Sequence, residues 1–262
     1  MLISALHAGP ALFAGAVIGL VLGLVGGGGS VLAVPLLVYV VGVRSPHAAI
    51  GTAAVAVALN ALTGLIGHAR ADNVKWPCAI VFALSGVVGA ALGATAGKAM
   101  DGQRLLALFG VLMIVVGAAM TRGRTGEGKP NVHLGRDTAA KLLPRLIPVG
   151  FGVGLLAGFF GIGGGFLIVP GLMLATAMPL RTAIGTSLVA VTALGATTAA
   201  SYALSGFVDW HLVAVLITGG LAGSLIGIAL GKRLAGHRRA MELGFAALVI
   251  LVGLYVTARG LL

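Results

Sequence analysis

The sequence predicts an all-α integral membrane protein built from two inverted-topology repeats, each a glycine-broken helical hairpin followed by three transmembrane helices. Three observations carry this expectation. Hydrophobic residues make up 59% of the 262 positions and charged residues 9%, with a mean hydropathy of +1.12. Apolar stretches of about 20 residues, enough to cross a bilayer core, recur from end to end. And one glycine-rich phrase occurs twice: Gly23 to Pro35 reads GLVGGGGSVLAVP, and Gly158 to Pro170 reads GFFGIGGGFLIVP. Glycine runs interrupt helices, and an interrupted helix in lipid frees backbone groups that must find other partners. Paired interruptions in two halves of a membrane protein point to a transporter's binding site.

The same composition excludes several classes. Cys78 is the sole cysteine, so no disulfide framework or thiolate metal site is expected. Residues 1–9 hold no Lys or Arg and lack a signal peptide's charged start, so the first span is expected to be retained. The net charge of +11 sits in short loops between apolar spans. That is the pattern of membrane orientation rather than of nucleic-acid binding.

In chain order, a broken apolar segment is expected over residues 10–42, then plain spans near 47–67, 76–97 and 104–121. Residues 122–145 are basic and rich in Gly and Pro, and read as a loop. A second broken segment follows over 146–178, with spans near 181–204, 210–231 and 239–258. The organisation is thus an N-terminal repeat (1–121), a cytoplasmic basic linker (122–145) and a C-terminal repeat (146–262). The halves match well beyond the glycine phrase. Gly15, Gly19 and Gly23 match Gly150, Gly154 and Gly158; after a one-residue slip, Ile50-Gly51-Thr52 matches Ile184-Gly185-Thr186. Thr63 matches Thr197, Trp76 matches Trp210, and Gly89, Gly93, Gly97 and Lys98 match Gly223, Gly227, Gly231 and Lys232.

Loop charges decide the topology. If each broken segment crosses once, the 17 Lys and Arg divide 9 to 8 between the two faces. If each turns back at its glycines, 13 fall on one face: Arg70, Lys75, the linker cations, Arg181, Lys232, Arg233, Arg238 and Arg239. Only Arg44, Lys98, Arg104 and Arg259 remain opposite. The positive-inside rule selects the hairpins. It predicts a multi-pass protein of the cell (inner) membrane with a cytoplasmic linker and both termini outside. Arms of about 16 residues, roughly 24 Å of helix, would bring the glycine tips together near the midplane.

Two copies of a G-x-G-G-G-x-x-x-x-P-like signature, in two similar halves, resemble the sulfite exporter TauE/SafE family, also called the 4-toluene sulfonate uptake permease family. The residues carrying the resemblance are Gly26 to Ser30 with Pro35, Gly161 to Gly165 with Pro170, and the two Ile-Gly-Thr triplets. The resemblance implies a secondary transporter of sulfur oxyanions such as sulfite, sulfonates or sulfoacetate, working by alternating access. The copies differ where Gly27 faces Ile162 and Ser30 faces Gly165, which makes the two halves of any site unequal.

The residues themselves suit an anion. Arms starting just after the glycines would point N–H groups and positive helix ends at the junction. The candidate substrate-binding set is Gly26, Gly27, Gly28, Gly29 and Ser30, with Gly161, Gly163, Gly164 and Gly165, and the hydroxyls and amide of Thr52, Asn60, Thr186 and Ser187. Against this stands a plainer reading, in which the glycines permit a tight turn and the hydroxyls bond back to their own helices. The Gly15/Gly19/Gly23 and Gly89/Gly93/Gly97 series and their counterparts have the small-xxx-small spacing of close helix contacts. The acids Asp72, Asp101, Glu127, Asp137, Asp209 and Glu242 all lie in loops or near span ends, so no carboxylate relay is expected in mid-membrane. His47 and Arg181 occupy matching positions where an anion would enter. No Gly-Lys-Ser/Thr follows the glycines, no nucleophile has a base inside the membrane, and no metal-ligand cluster occurs, so neither an enzyme nor a cofactor is expected. The expected partners are a small anion and the lipid bilayer, with self-association left open. The alternatives are another small organic anion as substrate, or a non-transporting membrane scaffold.

Overall fold

The computed structural model describes residues 5–25, 27–121, 137–161, 165–233 and 238–261, and among these the chain is helical with no strand. The described residues form ten helical segments, five on each side of residue 130. In the first half these are α1 (Ala5–Val25), α2 (residues 27–40), α3 (Pro46–Arg70), α4 (Trp76–Ala99) and α5 (Gly102–Thr121). In the second they are α6 (Ala139–Phe160), α7 (Gly165–Thr176), α8 (Leu180–Leu204), α9 (Trp210–Arg233) and α10 (Arg238–Leu261). All six plain spans are present. Among the described residues seven helices, the six plus α6, are long and apolar enough to cross a membrane. The second broken segment starts earlier than expected: α6 is already helical at Ala139, inside the stretch read as linker, and carries Pro144 and Pro148.

Local chemistry sets the helix starts. Ser45 accepts the Ala48 N–H at 3.3 Å and Pro46 opens α3, an N-cap followed by a residue that needs no hydrogen-bond partner there. Asp101 accepts the N–H groups of Gln103 and Arg104 at 3.1 Å. Asp209 does the same for His211 and Leu212, at 3.0 and 3.1 Å. Both acids are therefore helix caps at span ends.

Without a hydrophobic drive between helices in lipid, close packing must come from small residues that let backbones approach. Here the glycine series of one half meets that of the other. A Cβ on Gly15 would lie 2.6 Å from the Leu216 carbonyl, and one on Gly19 would strike the Gly220 backbone. In return Gly219, Gly223 and Gly227 sit against the carbonyls of Leu12, Ala16 and Leu20. Gly150, Gly154 and Gly158 press on Phe82, Gly86 and Ala90, while Gly89, Gly93 and Gly97 press on Phe151, Leu155 and Phe159. α1 thus runs parallel to α9, and α6 parallel to α4. The opposite face of α4 presents Leu84, Val88 and Leu92, each more than half exposed, as a lipid-facing surface requires.

The remaining pairs run the other way. Along α3 and α8, Gly51 meets Tyr202, Ala58 meets Gly195 and Gly64 meets Leu188. Along α5 and α10, Ala107 meets Gly260, Gly110 meets Gly253 and Gly117 meets Ala246. Each helix here lies antiparallel to its own sequence counterpart. The largest contacts in the molecule all join one half to the other.

Both broken segments turn back on themselves. Gly29 lies over Leu22 and Ile18 of α1, and Gly171 lies over Val153 and Val149 of α6. The arms are unequal, unlike the pair of 16-residue arms expected. α1 and α6 are 21 and 22 residues long, roughly 31 and 33 Å, whereas α7 has 12. The tips of the two long arms lie towards opposite ends of the bundle. Gly23 lies beside Gly227 near the end of α9, and Gly161 beside Ile50, the fifth residue of α3. The hairpins overlap rather than meeting tip to tip at the midplane.

Candidate functional site

The centre of the bundle is occupied by the two short arms. The Gly27–Leu32 turn touches α1, α3, α7, α8 and α10, so the first glycine phrase does meet the second hairpin, along α7. The two arms differ in detail. α2 begins with the tight turn Gly27–Leu32, passes through Ala33–Pro35 and ends in a widened turn Leu36–Val40. There Val41 N–H donates to the Leu36 carbonyl at 3.0 Å, five residues back. Pro35 has no N–H to continue an α-helical ladder, and the widened turn follows it. α7 instead accommodates Pro170 in a continuous helix.

Of the candidate residues, Gly26, Gly163 and Gly164 lie outside the described residues. Gly27 and Gly28 open the first turn, Gly29 packs on α1, and Ser30 is fully buried. Gly161 ends α6 with φ +66°, its N–H shared between the Ala157 and Gly158 carbonyls, and a side chain there would collide with Ile50. Both the left-handed backbone and the contact require glycine. Gly165 is the buried first residue of α7.

The two Ile-Gly-Thr triplets do something the sequence did not disclose. Thr52 Oγ1 accepts the Asp209 N–H at 3.1 Å, and Gly51 lies against the Phe207 carbonyl. In the other half, Thr186 Oγ1 accepts the Lys75 N–H at 3.0 Å, and Gly185 lies against the Asn73 carbonyl. Asp209 and Lys75 each immediately precede the Trp that opens α9 or α4. Each triplet therefore clips the other half's interhelical loop, and both threonines are fully buried. A hydroxyl that accepts one such bond still has its proton to donate. Ser187 Oγ donates to the Ile184 carbonyl at 2.7 Å, Thr63 to Asn60 at 2.7 Å and Thr197 to Ala193 at 2.8 Å, the plainer reading of such residues. The Asn60 amide sits against Gly220 on α9.

Polar residues absent from the sequence-based set gather near the second hairpin's tip. Thr198 and Tyr202, four apart on one face of α8, are fully buried, and among the described residues neither hydroxyl has a hydrogen-bond partner. The Tyr202 Cβ lies beside Gly51, next to the Ile50 that touches Gly161. The His47 ring centroid is 6.3 Å from that of Tyr202, and Lys98 Nζ is 5.8 Å from the Tyr202 ring centroid. Lys98 also donates to the Ser201 carbonyl and Ser205 Oγ, each at 3.0 Å. Buried hydroxyls are normally satisfied, so this group has unspent hydrogen-bonding capacity and no acid among its members. The only sequence signal was polarity within an apolar span. Among the described residues no cluster of His, Cys, Asp and Glu has the makings of a metal site.

Comparison with known proteins agrees with this architecture. The chain is 47% identical over 245 residues to a probable membrane transporter protein of Xylella fastidiosa (strain Temecula1), covering 94% of this chain and 93% of that protein. It is 25% identical to the probable membrane transporter protein YunE of Bacillus subtilis, over 94% of this chain and 96% of the relative. A 28% identical relative, the probable membrane transporter protein MJ0441 of Methanocaldococcus jannaschii, is matched over 66% of this chain and 64% of its own length. No solved structure matches the chain. The family model described as Sulfite exporter TauE/SafE covers residues 11–256. With that match across nearly its whole length and apolar helices throughout the described residues, the chain belongs to the TauE/SafE family of multi-pass membrane transporters and is not an enzyme.

Proposed function

We propose that the protein is a secondary transporter of sulfur-containing oxyanions, sulfite or organosulfonates such as sulfoacetate, moved across the cell membrane by alternating access. The observation that carries this reading is the family match together with the meeting of the two short arms in the bundle centre. In it, the anion lies between α2 and α7. It is held by backbone N–H groups of Gly26 to Ser30 and of Gly163, Gly164 and Gly165, with Gly161, whose own N–H closes α6, turning the chain there and with hydroxyls rather than a buried cation completing its shell. Thr198 and Tyr202 extend that shell towards one end. Thr52 and Thr186 position the elements around it through their loop clips, and Asn60 and Ser187 line the same helices.

The repeats are inverted in this reading, with the linker cytoplasmic and both termini outside. Its support is threefold: the loop charge asymmetry, the antiparallel pairing of α3 with α8 and of α5 with α10, and the crossed parallel pairing of the long arms. Alternating access then exchanges the roles of two similar halves, as inverted repeats permit. A panel of sulfite, sulfate, sulfonates and carboxylates offered to the purified protein tests the substrate class. Selective binding of a sulfur anion is expected. Binding of a cation with no sulfur anion bound would contradict it.

A further inference from the structure

An open pocket of about 370 Å³ lies at one end of the bundle, where the end of α2, the loop before α3, the start of α5 and the end of α10 converge. Its polar lining is Tyr39, Arg44, Gln103 and Arg259, with Val38 and Val43 among its apolar lining. No acid lines it, and among the described residues neither arginine is in an ion pair. Arg259 is held in place from behind: its Nε donates to Tyr255 Oη at 3.4 Å, and its guanidinium lies 5.8 Å over the Tyr255 ring. Tyr255 in turn packs edge-on against Tyr39, with centroids 5.1 Å apart. An oriented guanidinium is suited to the two-point recognition of a tetrahedral or planar oxyanion.

The placement of these charges is also unexpected on orientation grounds alone. On the hairpin topology the outer face keeps four of 17 cations, and two of these four, from opposite halves of the sequence, line this single pocket. A third, Lys98, is engaged with Ser201 and Ser205 on α8. We propose that the pocket is a peripheral binding site for a small oxyanion, a vestibule that concentrates substrate at the outer mouth before it reaches the short arms. The vestibule role rests on the transport reading above, and the anion site itself on the pocket's lining.

The two are separable by experiment. In a Cys78→Ala background, Val43→Cys in the pocket lining is labelled with a membrane-impermeant maleimide in proteoliposomes, with and without sulfoacetate, phosphate or succinate. Protection by at least one of these anions is expected. It should need about threefold to tenfold more anion in Arg44→Gln or Arg259→Gln, as for solvent-facing charge pairs with good geometry. In an otherwise wild-type background, the same two variants should raise KM for the transported anion with little change in kcat. Protection by phosphate or succinate but not sulfoacetate would retain the anion site while overturning its role as a vestibule for an organosulfonate. Absent protection, or protection indifferent to both arginines, would overturn the site even if sulfoacetate is transported. Monodisperse elution of each variant guards against misfolding as the cause.

Discussion

The two short arms share a glycine run and a proline and fold differently, whereas the two Ile-Gly-Thr clips are built alike. In α2 a tight turn, an α-helical turn and a widened turn succeed one another around Pro35, while α7 absorbs Pro170 without interruption. The clips, by contrast, repeat donor, acceptor and glycine contact position for position. The clips of the scaffold are therefore more alike than the arms at the centre.

The sharpest way to break this comparison is to attack the frame. Gly154→Val or Gly19→Val drives a side chain into a facing backbone that has no rotamer to yield. Overpacking of this kind costs about 1–3 kcal/mol in a core and more against backbone, so loss of monodisperse protein is expected. Gly152→Ala, with nothing within 4 Å of the added atom, should leave yield and thermal stability unchanged. Next in size, Gly164→Val is expected to abolish transport while leaving expression intact; wild-type flux in that variant would reduce the glycine phrase to scaffolding.

Thr52→Val and Thr186→Val should each lower stability by about 1 kcal/mol, the loss of one hydrogen bond to a half-buried backbone N–H. Thermal unfolding should show losses of similar size in the two variants, with KM little changed. A large KM increase with stability intact would instead make these hydroxyls direct substrate ligands. The smallest effect is expected from Ser187→Ala, about 0.5 kcal/mol or less, because its hydroxyl bonds only to its own helix.

Much of this fold was legible in the sequence, for identifiable reasons. Helix count and type follow from apolar length, because the bilayer fixes the length of a span. The turning back of residues 10–42 and 146–178 was legible from loop charge. Arm length was not: the first arm was expected to begin at Pro10 and the second broken segment at Leu146, whereas Pro10 is carried inside α1 and Pro144 and Pro148 inside α6, so both helices start earlier. The small-xxx-small spacing announced close packing but not its partner, since nothing within one half says that its glycines will meet the other half's. Thr52 and Thr186 were singled out for the right property, a buried hydroxyl, but the group that meets each one lies 157 and 111 residues away. Thr198 and Tyr202 went unnoticed because neither belongs to a repeated motif: their counterparts at the same offset are Gly64 and His68.

The most direct test of the account is radiolabelled sulfite and sulfoacetate flux in proteoliposomes, with wild type beside Gly164→Val and protein-free vesicles. Saturable, counterflow-competent movement of at least one sulfur oxyanion by the wild type, lost in the variant, is the predicted result. Wild-type flux no greater than that of empty vesicles for every sulfur oxyanion, with saturable transport of an unrelated solute, would contradict it.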